Sequence, residues 1–590
     1  MISFNIKHLG WKGMACSALV AAATLTACSD WDDHFDANSS VLDSQHSTLW
    51  QQIEKAENLK EFASLLKKTG YDEKLSASQT YTVWAPVDGT FDYDVLSNYS
   101  DARVLREFVE NHIARNNYPV SGQIDQRIYM LNEKKMLFNG SSDYSIQGIK
   151  LIKPNMSSCS NGTLHAIDGK VPFLSSIYES LSNFDYPIDS LSAYVLGYDE
   201  KKIDESKSKK GPVTNGEQTY LDTVYYEHNE LFSYYDAFIN REDSSYTMIA
   251  PTNTAWNKAM TTVKSYFNYL PQFDFYEKPA EKVVQKVTLQ DAAAMRDSVS
   301  KVAMYLSLIY NNNVYDNKKL KTLQTGEPLA ADSLMSTTGT KMYSEDAANL
   351  FAHATRLDKS NGALWVTDDS LHMRTWTLWN PEIRIEAEYS NYWAGSSFVS
   401  NDQPEAKAVN KQNDEVLGKI SNNYYLEVAP NGMAVNPEIY FYLPNVRSAE
   451  YSVYIVFVPG NINSKNFAGP LKKNHMDVVI GYADEKGKNV ESTFKDIEPA
   501  VDSLLNVEGA TAKIDTTYIG DITFPASYVG LFNSSSLKCA PYMRLRSRVS
   551  SKQSSIYDRT MRIDCIILRP KNLDDYIKAH PDYKYDRNLY

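Results

Sequence analysis

Histidine and cysteine are scarce in this chain, with 10 and 5 among 590 residues. The chain also lacks the HExxH pair of metalloproteases, the GxSxG turn of serine hydrolases, the Walker phosphate loop and the nucleotide-binding GxGxxG pattern. Neither a Cys-x-x-Cys pair nor a Cys/His spacing typical of zinc sites occurs. The sequence therefore predicts that the protein is not an enzyme, and that it has no catalytic residue, no cofactor and no metal site.

Positive charge is also in short supply. The 60 Lys and Arg residues are outnumbered by 73 Asp and Glu residues, which gives a formal net charge of -13. No basic stripe interleaved with aromatic residues is found, and such a stripe is what a phosphate backbone would require. Nucleic acid is therefore not an expected partner.

Long apolar runs are missing as well. The apolar stretch at residues 14–25 is too short to span a bilayer. It follows Lys7 and Lys12, and this order is typical of a signal peptide, which we place at residues 1–27. No later stretch is apolar enough for a transmembrane helix, so we expect the fold to lie in water beside a membrane.

The end of the signal peptide carries a specific motif. Residues 25–28 (LTAC) resemble the lipobox of bacterial lipoproteins. The resemblance implies that Cys28 receives diacylglycerol and becomes the first residue after cleavage. Several acyl chains would then provide a stable lipid anchor in the outer membrane, at about 0.8 kcal/mol per buried methylene. The alternative is an ordinary secretory signal in which Cys28 is incidental.

Residues 28–40 form a short acidic tether. Four Asp residues lie among residues 29–36, which is similar to the acidic export tag of surface-exposed lipoproteins in Gram-negative bacteria. The resemblance implies a protein that is anchored in the outer membrane and faces the cell exterior. A solvated charge run on a tether has the same composition, and the two interpretations are compatible.

The remaining cysteines add little. Cys159, Cys539 and Cys565 are left once Cys16 leaves with the signal and Cys28 is lipidated. Three is an odd number, so at least one thiol is free or pairs outside the chain. Cys539 with Cys565 is the one intrachain pair to consider, and the sequence leaves it open.

Two sequence patterns occur twice in the same order. Residues 81–91 (YTVWAPVDGTF) are repeated at 246–256 (YTMIAPTNTAW), and residues 161–168 (NGTLHAID) are repeated at 361–368 (NGALWVTD). Two copies of one domain explain this arrangement most simply.

The repeated patterns also predict local structure. Each first pattern predicts a short buried strand that ends at Ala-Pro, because proline has no N–H for strand pairing. A helix is expected to follow, with Asp88 or Asn253 as its cap. The Asn-Gly pairs at 161 and 361 predict tight turns between antiparallel strands. Each copy should therefore be an α+β unit with a small, mostly antiparallel sheet.

These motifs together resemble the fasciclin domain. The resemblance rests on TVxAPxxxxF, on the Asn-His-Ile run at 111–113 and on NGxxHxxD, and it covers residues 41–180 and 181–380. It implies two adhesion or interaction modules whose conserved His and closing Asp hold the core together. The residues that it singles out are His112, Asn161, Gly162, His165, Asp168, Asn361, Gly362 and Asp368.

The second copy departs from the family pattern. Leu308-Ile309-Tyr310 stands where the first His motif is expected, and Trp365 replaces the second His. This copy also carries insertions of about 38 and 35 residues, which are thermodynamically cheap on a surface and are frequent sites of binding. The insertions lie near residues 204–235 and 266–310, and either pack against neighbouring domains or bind a partner.

The last third, residues 381–590, has a different character. Several segments alternate between apolar and polar residues, and no convincing amphipathic helix is seen, which predicts an all-β sandwich. The first and last candidate strands, at 382–389 and 561–570, resemble those of galactose-binding-like jelly rolls. This resemblance implies carbohydrate binding through stacked aromatic rings, for which Tyr389, Tyr392 and Trp393 are the candidates, although core or loop packing is an alternative for each.

The first of these predicted strands contains two carboxylates two residues apart. Glu386 and Glu388 lie on one face of the strand, a spacing that suggests glycoside hydrolysis. Strand alternation places polar residues on the solvent side without any chemistry. We therefore expect both carboxylates to face water.

The multidomain fold class predicted is thus two α+β fasciclin-like domains followed by an all-β sandwich of jelly-roll type. The function predicted is a non-catalytic surface lipoprotein that acts as a binding or adhesion module. The expected setting is a nutrient (glycan or peptide) uptake complex, in which the protein is an accessory subunit of a TonB-dependent transporter and its lid lipoprotein. The alternative is a free-standing glycan-binding or cell-adhesion protein that uses the C-terminal sandwich.

Overall fold

A computed structural model describes eleven stretches of the chain. They are residues 46–182, 186–206, 208–214, 216–223, 225–311, 333–397, 404–432, 434–467, 471–499, 512–533 and 537–585. The predicted signal peptide, Cys28, the acidic tether and the rest of the polypeptide before residue 46 lie outside the described residues. Within these stretches, no helix is long and apolar enough to cross a membrane.

The contacts divide the chain into two compact units. Unit one contains the residues up to 180 together with 239–245 and 358–361, and unit two contains the remainder. Two short stretches from the predicted 181–380 domain therefore pack with unit one.

Unit one combines short helices with one seven-stranded sheet in the order β2-β1-β7-β6-β5-β4-β3. Its helices are α1 (Leu49–Lys55), α2 (Lys60–Lys68), α3 (Tyr71–Ser76), α4 (Tyr93–Ser97), α5 (Asp101–Val104) and, at its C-terminal boundary, α6 (Ile177–Ser182). Its strands are β1 (Tyr81–Pro86), β2 (Ile113–Arg115), β3 (Ile124–Tyr129), β4 (Lys135–Gly140), β5 (Ser145–Ile146), β6 (Ile149–Cys159) and β7 (Gly162–Ile167). A π-helical turn (Leu105–Val109) and a 3₁₀ turn (Glu110–His112) lead from α5 into β2.

Strand β1 lies between an antiparallel and a parallel neighbour. It pairs with β2 in the register Thr82↔Ala114, and with β7 in the register Tyr81↔Gly162. All six residues of β1 and of β7 are buried, which explains their nearly continuous apolar sequences. Residues of α2, β1 and β7 share one hydrophobic core. The predicted α+β architecture of this region is confirmed.

The predicted caps act on other helices than expected. The Asp88 carboxylate accepts hydrogen bonds from the N–H groups of Lys60 and Glu61, at 3.0 and 2.9 Å, so it caps α2, which precedes it in the chain. Helix α4 is capped instead by Asp92. The reason is that α2 begins after the buried residue Leu59, which has no side-chain oxygen to cap the helix itself.

The first part of unit two contains a smaller sheet in the order β15-β12-β19-β18. Its helices are α7 (Asp189–Leu196), α8 (Glu230–Tyr234), α9 (Asn253–Ser265), α10 (Ala292–Leu306), α11 (Ser344–Phe351) and α12 (Thr375–Leu378). Its strands are β8 (Asp199–Ile203), β9 (Lys209–Thr214), β10 (Glu217–Asp222), β11 (Tyr225–Asn229), β12 (Tyr246–Pro251), β13 (Gln272–Lys278), β14 (Val283–Thr288), β15 (Ile309–Asn311), β16 (Ser333–Met335), β17 (Lys341–Tyr343), β18 (Ala354–Lys359) and β19 (Gly362–Thr367).

The central strand of this sheet repeats the arrangement of β1. Strand β12 pairs antiparallel with β15 and parallel with β19, in the registers Thr247↔Tyr310 and Tyr246↔Gly362. The cap is repeated too, because Asn253 accepts a hydrogen bond from the Ser190 N–H at 2.8 Å and so caps the preceding helix α7. Helix α9 takes its cap from Thr252.

The last third of the chain forms two larger antiparallel sheets and one terminal helix. The sheets have the orders β22-β23-β34-β25-β29, with β20 also paired to β34, and β21-β24-β32-β27-β28. The strands are β20 (Ile383–Glu386), β21 (Trp393–Ser397), β22 (Glu405–Ala408), β23 (Tyr424–Val428), β24 (Glu438–Tyr442), β25 (Glu450–Phe457), β26 (Lys473–Asn474), β27 (Met476–Ala483), β28 (Asn489–Ile497), β29 (Asp515–Thr523), β30 (Phe532–Asn533), β31 (Leu537–Lys538), β32 (Tyr542–Ser547), β33 (Tyr557–Asp558) and β34 (Met561–Pro570).

This region confirms a β-rich remainder and adds a helix that we did not predict. Helix α13 (Lys571–Ala579) begins directly after Pro570, and it buries Leu573 and Asp574. The first and last strands pair with each other, in the register Ile383↔Leu568. Central strand β25 is buried over seven of its eight residues, whereas β28 at a sheet edge alternates in burial.

Candidate functional site

The Asn-Gly box of unit one begins at Asn161, whose side chain holds three backbone groups. Its carbonyl oxygen accepts a hydrogen bond from the Leu49 N–H at 2.8 Å. Its amide nitrogen donates to the carbonyl oxygens of Leu75 and Ala77, at 2.7 and 2.8 Å. Asn161 therefore ties helices α1 and α3 to the start of β7.

Asn361 makes the corresponding set of bonds. Its side-chain oxygen accepts from the Ile177 N–H at 2.9 Å, and its amide donates to the carbonyl oxygens of Ile239 and Arg241, at 2.7 and 3.0 Å. The two Asn residues thus have the same role, which is to satisfy buried backbone groups.

Glycine is required next to both Asn residues because another strand approaches closely. A Cβ on Gly162 would lie 1.7 Å from the Tyr81 carbonyl oxygen, and one on Gly362 would lie 1.9 Å from that of Tyr246. Both glycines also have positive φ, of +141° and +144°. The parallel registers of β1 with β7 and of β12 with β19 therefore depend on Gly at these positions.

The first predicted His is a buried link between two backbone segments. His112 Nδ1 donates to the Phe108 carbonyl at 2.6 Å, and its Nε2 accepts from the Val171 N–H at 2.8 Å. Accepting at Nε2 requires a neutral ring. Burial lowers the pKa of His112 to about 4, which favours the same form.

His165, in strand β7, also links two backbone segments. Its Nδ1 accepts from the Asn155 N–H and its Nε2 donates to the Tyr118 carbonyl, both at 3.0 Å. The ring stacks on Trp84 with centroids 5.6 Å apart. Burial lowers the pKa of this His to about 4 as well. Both His residues thus hydrogen-bond within the core.

The closing Asp residues do not share this role. Asp168 and Asp368 follow the last residues of β7 and β19, and both are exposed. Their backbones are bonded, since the Asp168 N–H donates to the Lys150 carbonyl and the Thr252 hydroxyl donates to the Asp368 carbonyl. The expectation that these carboxylates hold the core is wrong, because the polypeptide leaves the sheet at both Asp residues and both side chains are exposed.

In unit two, apolar residues take the positions of the two His residues. The registers Val83↔Ile113 and Met248↔Ile309 place Leu308 at the position of His112, and Leu308 is fully buried. Trp365 is also fully buried and packs edge-on against Phe351, with ring centroids 4.9 Å apart. The places that imidazoles occupy in unit one are therefore filled largely by apolar packing here.

The three aromatic candidates for ligand stacking differ in exposure. Tyr389 is 46% exposed, and its hydroxyl lies 3.3 Å from the Asn422 amide, which donates to it. Tyr392 and Trp393 are half-buried. The Trp393 indole N–H donates to the Ala387 carbonyl at 2.7 Å, so this side chain is held by the loop. Among the three, Tyr389 alone presents an exposed ring.

The carboxylates beside Tyr389 are buried, and our expectation that they face water is wrong. Glu386 and Glu388 are 6% and 8% exposed, and Asp564 of the neighbouring strand β34 is 1% exposed. Strand β20 pairs with the central strand β34, and the 3₁₀ turn at Ser421–Asn423 lies against both carboxylates, with Ser421 bonded to Glu386 and Asn422 to Glu388. The Arg384 guanidinium donates to Glu386 at 2.8 Å and supplies part of the compensating charge.

One serine joins two of these carboxylates. The Ser421 hydroxyl lies 2.5 Å from an oxygen of Glu386 and 2.5 Å from an oxygen of Asp564. A hydroxyl has one proton, so it can donate to only one carboxylate while the other carboxyl must supply a proton of its own. This geometry favours a protonated carboxyl in the cluster.

The pKa values of the cluster agree with that geometry. Burial raises the pKa of Asp564 to about 6, with the negative charge of Glu386 adding to the effect. Burial also raises the pKa of Glu388 to about 7. Because the folded state binds these protons more tightly than the unfolded chain, their contribution to stability is present below about pH 4 and is lost as the pH rises towards 7.

The cluster has donors that could hold a cation. Glu386, Asp564 and Cys565 each offer a ligand atom within 4.8 Å of the others, the one such group found in the described stretches. Carboxylate oxygens suit a hard divalent cation, whereas the thiol does not. One oxygen of the Glu388 carboxylate is buried without a hydrogen-bond partner among the described atoms, and it would be a further oxygen donor.

Sequence reasoning missed Asp564, Ser421 and Asn422. A signal for Asp564 was present, because it is the one acid in the apolar run Ile563–Leu568, and an acid there must be buried with partners. No signal in the sequence points to Ser421 or Asn422. The three candidate cysteines, Cys159, Cys539 and Cys565, are free thiols in the structure.

Comparisons with known proteins give one family match. Residues 57–170 match the family model of the Fasciclin domain. No protein with a curated description matches the chain.

Three solved structures are similar to parts of the chain at low scores. The FAS1 domain pair of the insect cell adhesion molecule fasciclin I is 13% identical over 54% of this chain and 98% of that one, with a TM-score of 0.19. Paenibacillus xanthan lyase is 12% identical over 38% and 18%, with a TM-score of 0.19. The insecticidal crystal protein Cry2Aa is 11% identical over 35% and 24%, with a TM-score of 0.18. On the family match, residues 57–170 are a fasciclin domain.

Proposed function

We propose that this protein is a non-catalytic binding or adhesion module on the outer face of an outer membrane. The observation that carries the proposal is the fasciclin domain at residues 57–170, which fits an adhesion or binding module. The sequence supports a non-catalytic role because it has none of the nucleophile, metal or phosphate-loop motifs considered above.

Residues 181–380 are a second fasciclin-like domain in this proposal. Strand β12, like β1, pairs antiparallel with one strand and parallel with another. The first Tyr of each repeated pattern lies opposite the Gly of the Asn-Gly pair, Tyr81 opposite Gly162 and Tyr246 opposite Gly362. Asn361 and Asn161 also make equivalent sets of three hydrogen bonds. After the signal peptide at residues 1–27 is removed, the lipid on Cys28 and the tether up to residue 40 supply the anchor.

The C-terminal region, residues 381–590, is a jelly-roll sandwich in this proposal. It has two antiparallel sheets, and its first and last strands, β20 and β34, pair with each other. Such sandwiches are scaffolds whose function depends on the individual site.

The setting that we infer is a TonB-dependent uptake complex, with this protein as an accessory subunit beside the transporter and its lid lipoprotein. The test is affinity isolation of the tagged protein from its native outer membrane in mild detergent, followed by mass spectrometry. Stoichiometric recovery of a transporter and a lid lipoprotein is expected. Recovery of the tagged protein alone would contradict the accessory role.

A matched control separates membrane attachment from partner binding. Cys28→Ser removes the lipid and leaves every described residue unchanged, so it should release the protein from the membrane fraction while the purified variant still binds the partner in detergent. A Cys28→Ser protein that stays in the membrane fraction would contradict the lipid anchor.

The second candidate function is binding of a glycan by the C-terminal region. The observation that favours it is the exposed ring of Tyr389 beside the Asn422 amide and the carboxylate of Glu388, since sugars stack on rings and hydrogen-bond to such groups. Affinity electrophoresis against soluble polysaccharides tests it. Tyr389→Ala should abolish retardation, whereas Tyr129→Ala, at a ring of 48% exposure in the fasciclin domain, should not.

A further inference from the structure

The two insertions of unit two differ in what covers them. The second insertion packs on the C-terminal sheets, where Tyr276 meets Tyr542 edge-on with ring centroids 5.3 Å apart. The Tyr269 hydroxyl in the same insertion donates to the Val529 carbonyl at 3.0 Å. Packing within unit two therefore accounts for the aromatic residues of that insertion.

The first insertion is exposed instead. The described residues among 199–229, here called the ribbon, form two successive two-stranded antiparallel sheets, in which β8 pairs with β11 and β9 pairs with β10. Their apolar side chains are unusually exposed for a folded segment. The exposed fractions are 69% for Leu221, 65% for Val213, 58% for Tyr225 and 47% for Tyr226.

The two sides of the ribbon have different compositions. The lysine side, β8 and β9, carries Lys201, Lys202, Lys209 and Lys210 together with Pro212. The tyrosine side, β10 and β11, carries no Lys, Arg or Pro. The residues of the tyrosine side are Glu217–Asp222 and Tyr225–Asn229.

This asymmetry is physically meaningful because lysine and proline protect strand edges. An edge strand presents a row of backbone N–H and C=O groups, and proteins prevent unwanted pairing there with Lys, Pro or a covering element. The lysine side has two of these protections. In the described residues, neither β10 nor β11 pairs with a strand on its outer edge. The tyrosine side is thus the edge left open for pairing.

We propose that the tyrosine side binds an extended polypeptide segment of a partner protein by strand addition. Backbone hydrogen bonds to β10 and β11 would supply affinity, and the exposed side chains would supply specificity. The ribbon sequence also indicates which residues the partner's segment carries. Glu217 is exposed and acidic, and Leu221 and Tyr225 are exposed and apolar, so the segment that complements them carries apolar residues and a basic residue that pairs with Glu217.

Strand addition at the tyrosine side rests on the proposed function, in which the binding partner is a protein subunit of the complex. The test compares two substitutions that add the same charge. Leu221→Lys protects the tyrosine side, and Val213→Lys places a lysine on the lysine side at almost equal exposure. Both side chains are largely in solvent, so thermal melting should show neither variant to be less stable.

The measurement is recovery of the partner with the full-length tagged protein from its native membrane in mild detergent. We expect Val213→Lys to recover as much partner as the unaltered protein, and Leu221→Lys to recover about tenfold less, which corresponds to a loss of about 1.4 kcal/mol. Equal recovery with the two variants would overturn the ribbon proposal and leave the accessory role standing. Recovery of no protein with the unaltered chain would overturn both.

Hydrogen exchange on the isolated complex distinguishes strand addition from side-chain contact. Amides of Glu217–Asp222 and Tyr225–Asn229 should exchange more slowly in the complex than in the free protein, whereas those of Asp199–Ile203 and Lys209–Thr214 should not change. Protection of both sides would overturn the assignment of the open edge. A glycan in place of a protein, with no amide protection, would overturn strand addition.

Discussion

The regions around β1 and β12 have the same backbone framework and differently composed cores. In each, a buried strand pairs parallel with a strand that starts at Asn-Gly, and that Asn holds three backbone groups. His112 and His165 fill the first region, whereas Leu308 and Trp365 fill the same positions in the second. The framework thus depends on Asn and Gly, and the core positions can be filled either by bonded imidazoles or by apolar packing.

The difference follows from what each residue type can be replaced by. Gly162 and Gly362 leave no room for any side chain, and the Asn side chains satisfy buried backbone groups. A buried His costs little when both ring nitrogens are bonded, and an apolar side chain in the same position removes the need for those bonds. Positions of the first kind should therefore be much less tolerant of change.

The largest effect is expected at the two glycines. Gly162→Ala and Gly362→Ala each force a Cβ into a carbonyl oxygen, so each should lower the free energy of unfolding by more than about 4 kcal/mol. Scanning calorimetry should show one transition lowered by each variant. Gly148→Ala is the control, since its φ of +82° is strained but its surroundings are open, and it should cost about 1 kcal/mol. Equal costs at all three positions would contradict the close approach.

The next effect is expected at the two asparagines. Asn161→Ala and Asn361→Ala each leave three buried backbone groups without a partner, so each should lower the free energy of unfolding by about 2 to 4 kcal/mol. Urea denaturation measures both losses. We expect the losses in the free energy of unfolding to be similar for Asn161→Ala and Asn361→Ala. A loss confined to Asn161→Ala would contradict the equivalent roles of the two Asn residues.

A pH-dependent effect should separate the two regions. His112 and His165 have pKa values of about 4, so the unfolded chain binds more protons than the folded one between about pH 4 and 6.5. Stability from this source is therefore present above pH 6.5 and is lost as the pH falls through 4, at about 1.4 kcal/mol per pKa unit.

Calorimetry between pH 7 and pH 4.5 checks this expectation. The transition that Gly162→Ala lowers should move to lower temperature on acidification. The transition of unit two should move less or in the opposite direction, because the raised pKa values of Glu388 and Asp564 favour its folded state at lower pH. A parallel shift of both transitions would contradict the assignment of neutral, buried imidazoles.

The smallest effect is expected at the closing Asp residues. Asp168→Ala and Asp368→Ala remove exposed carboxylates, so each should change the free energy of unfolding by less than about 0.5 kcal/mol. Chemical denaturation is again the measurement. A loss of 2 kcal/mol at either position would restore the core role that the family resemblance implied.

Much of the framework was predictable because its signals are local. The Asn-Gly turns and the strands that end at Ala-Pro follow from the residues themselves, whereas the core role of the His residues was implied by the family resemblance. The caps Asp88 and Asn253 were assigned to the wrong helices, since a side chain distant in sequence can cap a helix that has no cap of its own.

The candidate site was less predictable because it depends on tertiary pairing. Alternation along β20 assigns Glu386 to solvent, and only the pairing of β20 with β34 places it beside Asp564. Ser421 and Asn422 come from a 3₁₀ turn that lies near the cluster through folding alone, with Asn422 at a φ of 49°. No periodicity in the sequence reports such proximity.

The most direct test of the shared framework is hydrogen exchange of the full-length protein at neutral pH, resolved by mass spectrometry. If one framework is built twice, the amides of β12 and β19 should be among the slowest in unit two, as those of β1 and β7 should be in unit one. Exchange of β12 and β19 at the rate of the surrounding loops, with β1 and β7 protected, would contradict a second copy of the fold.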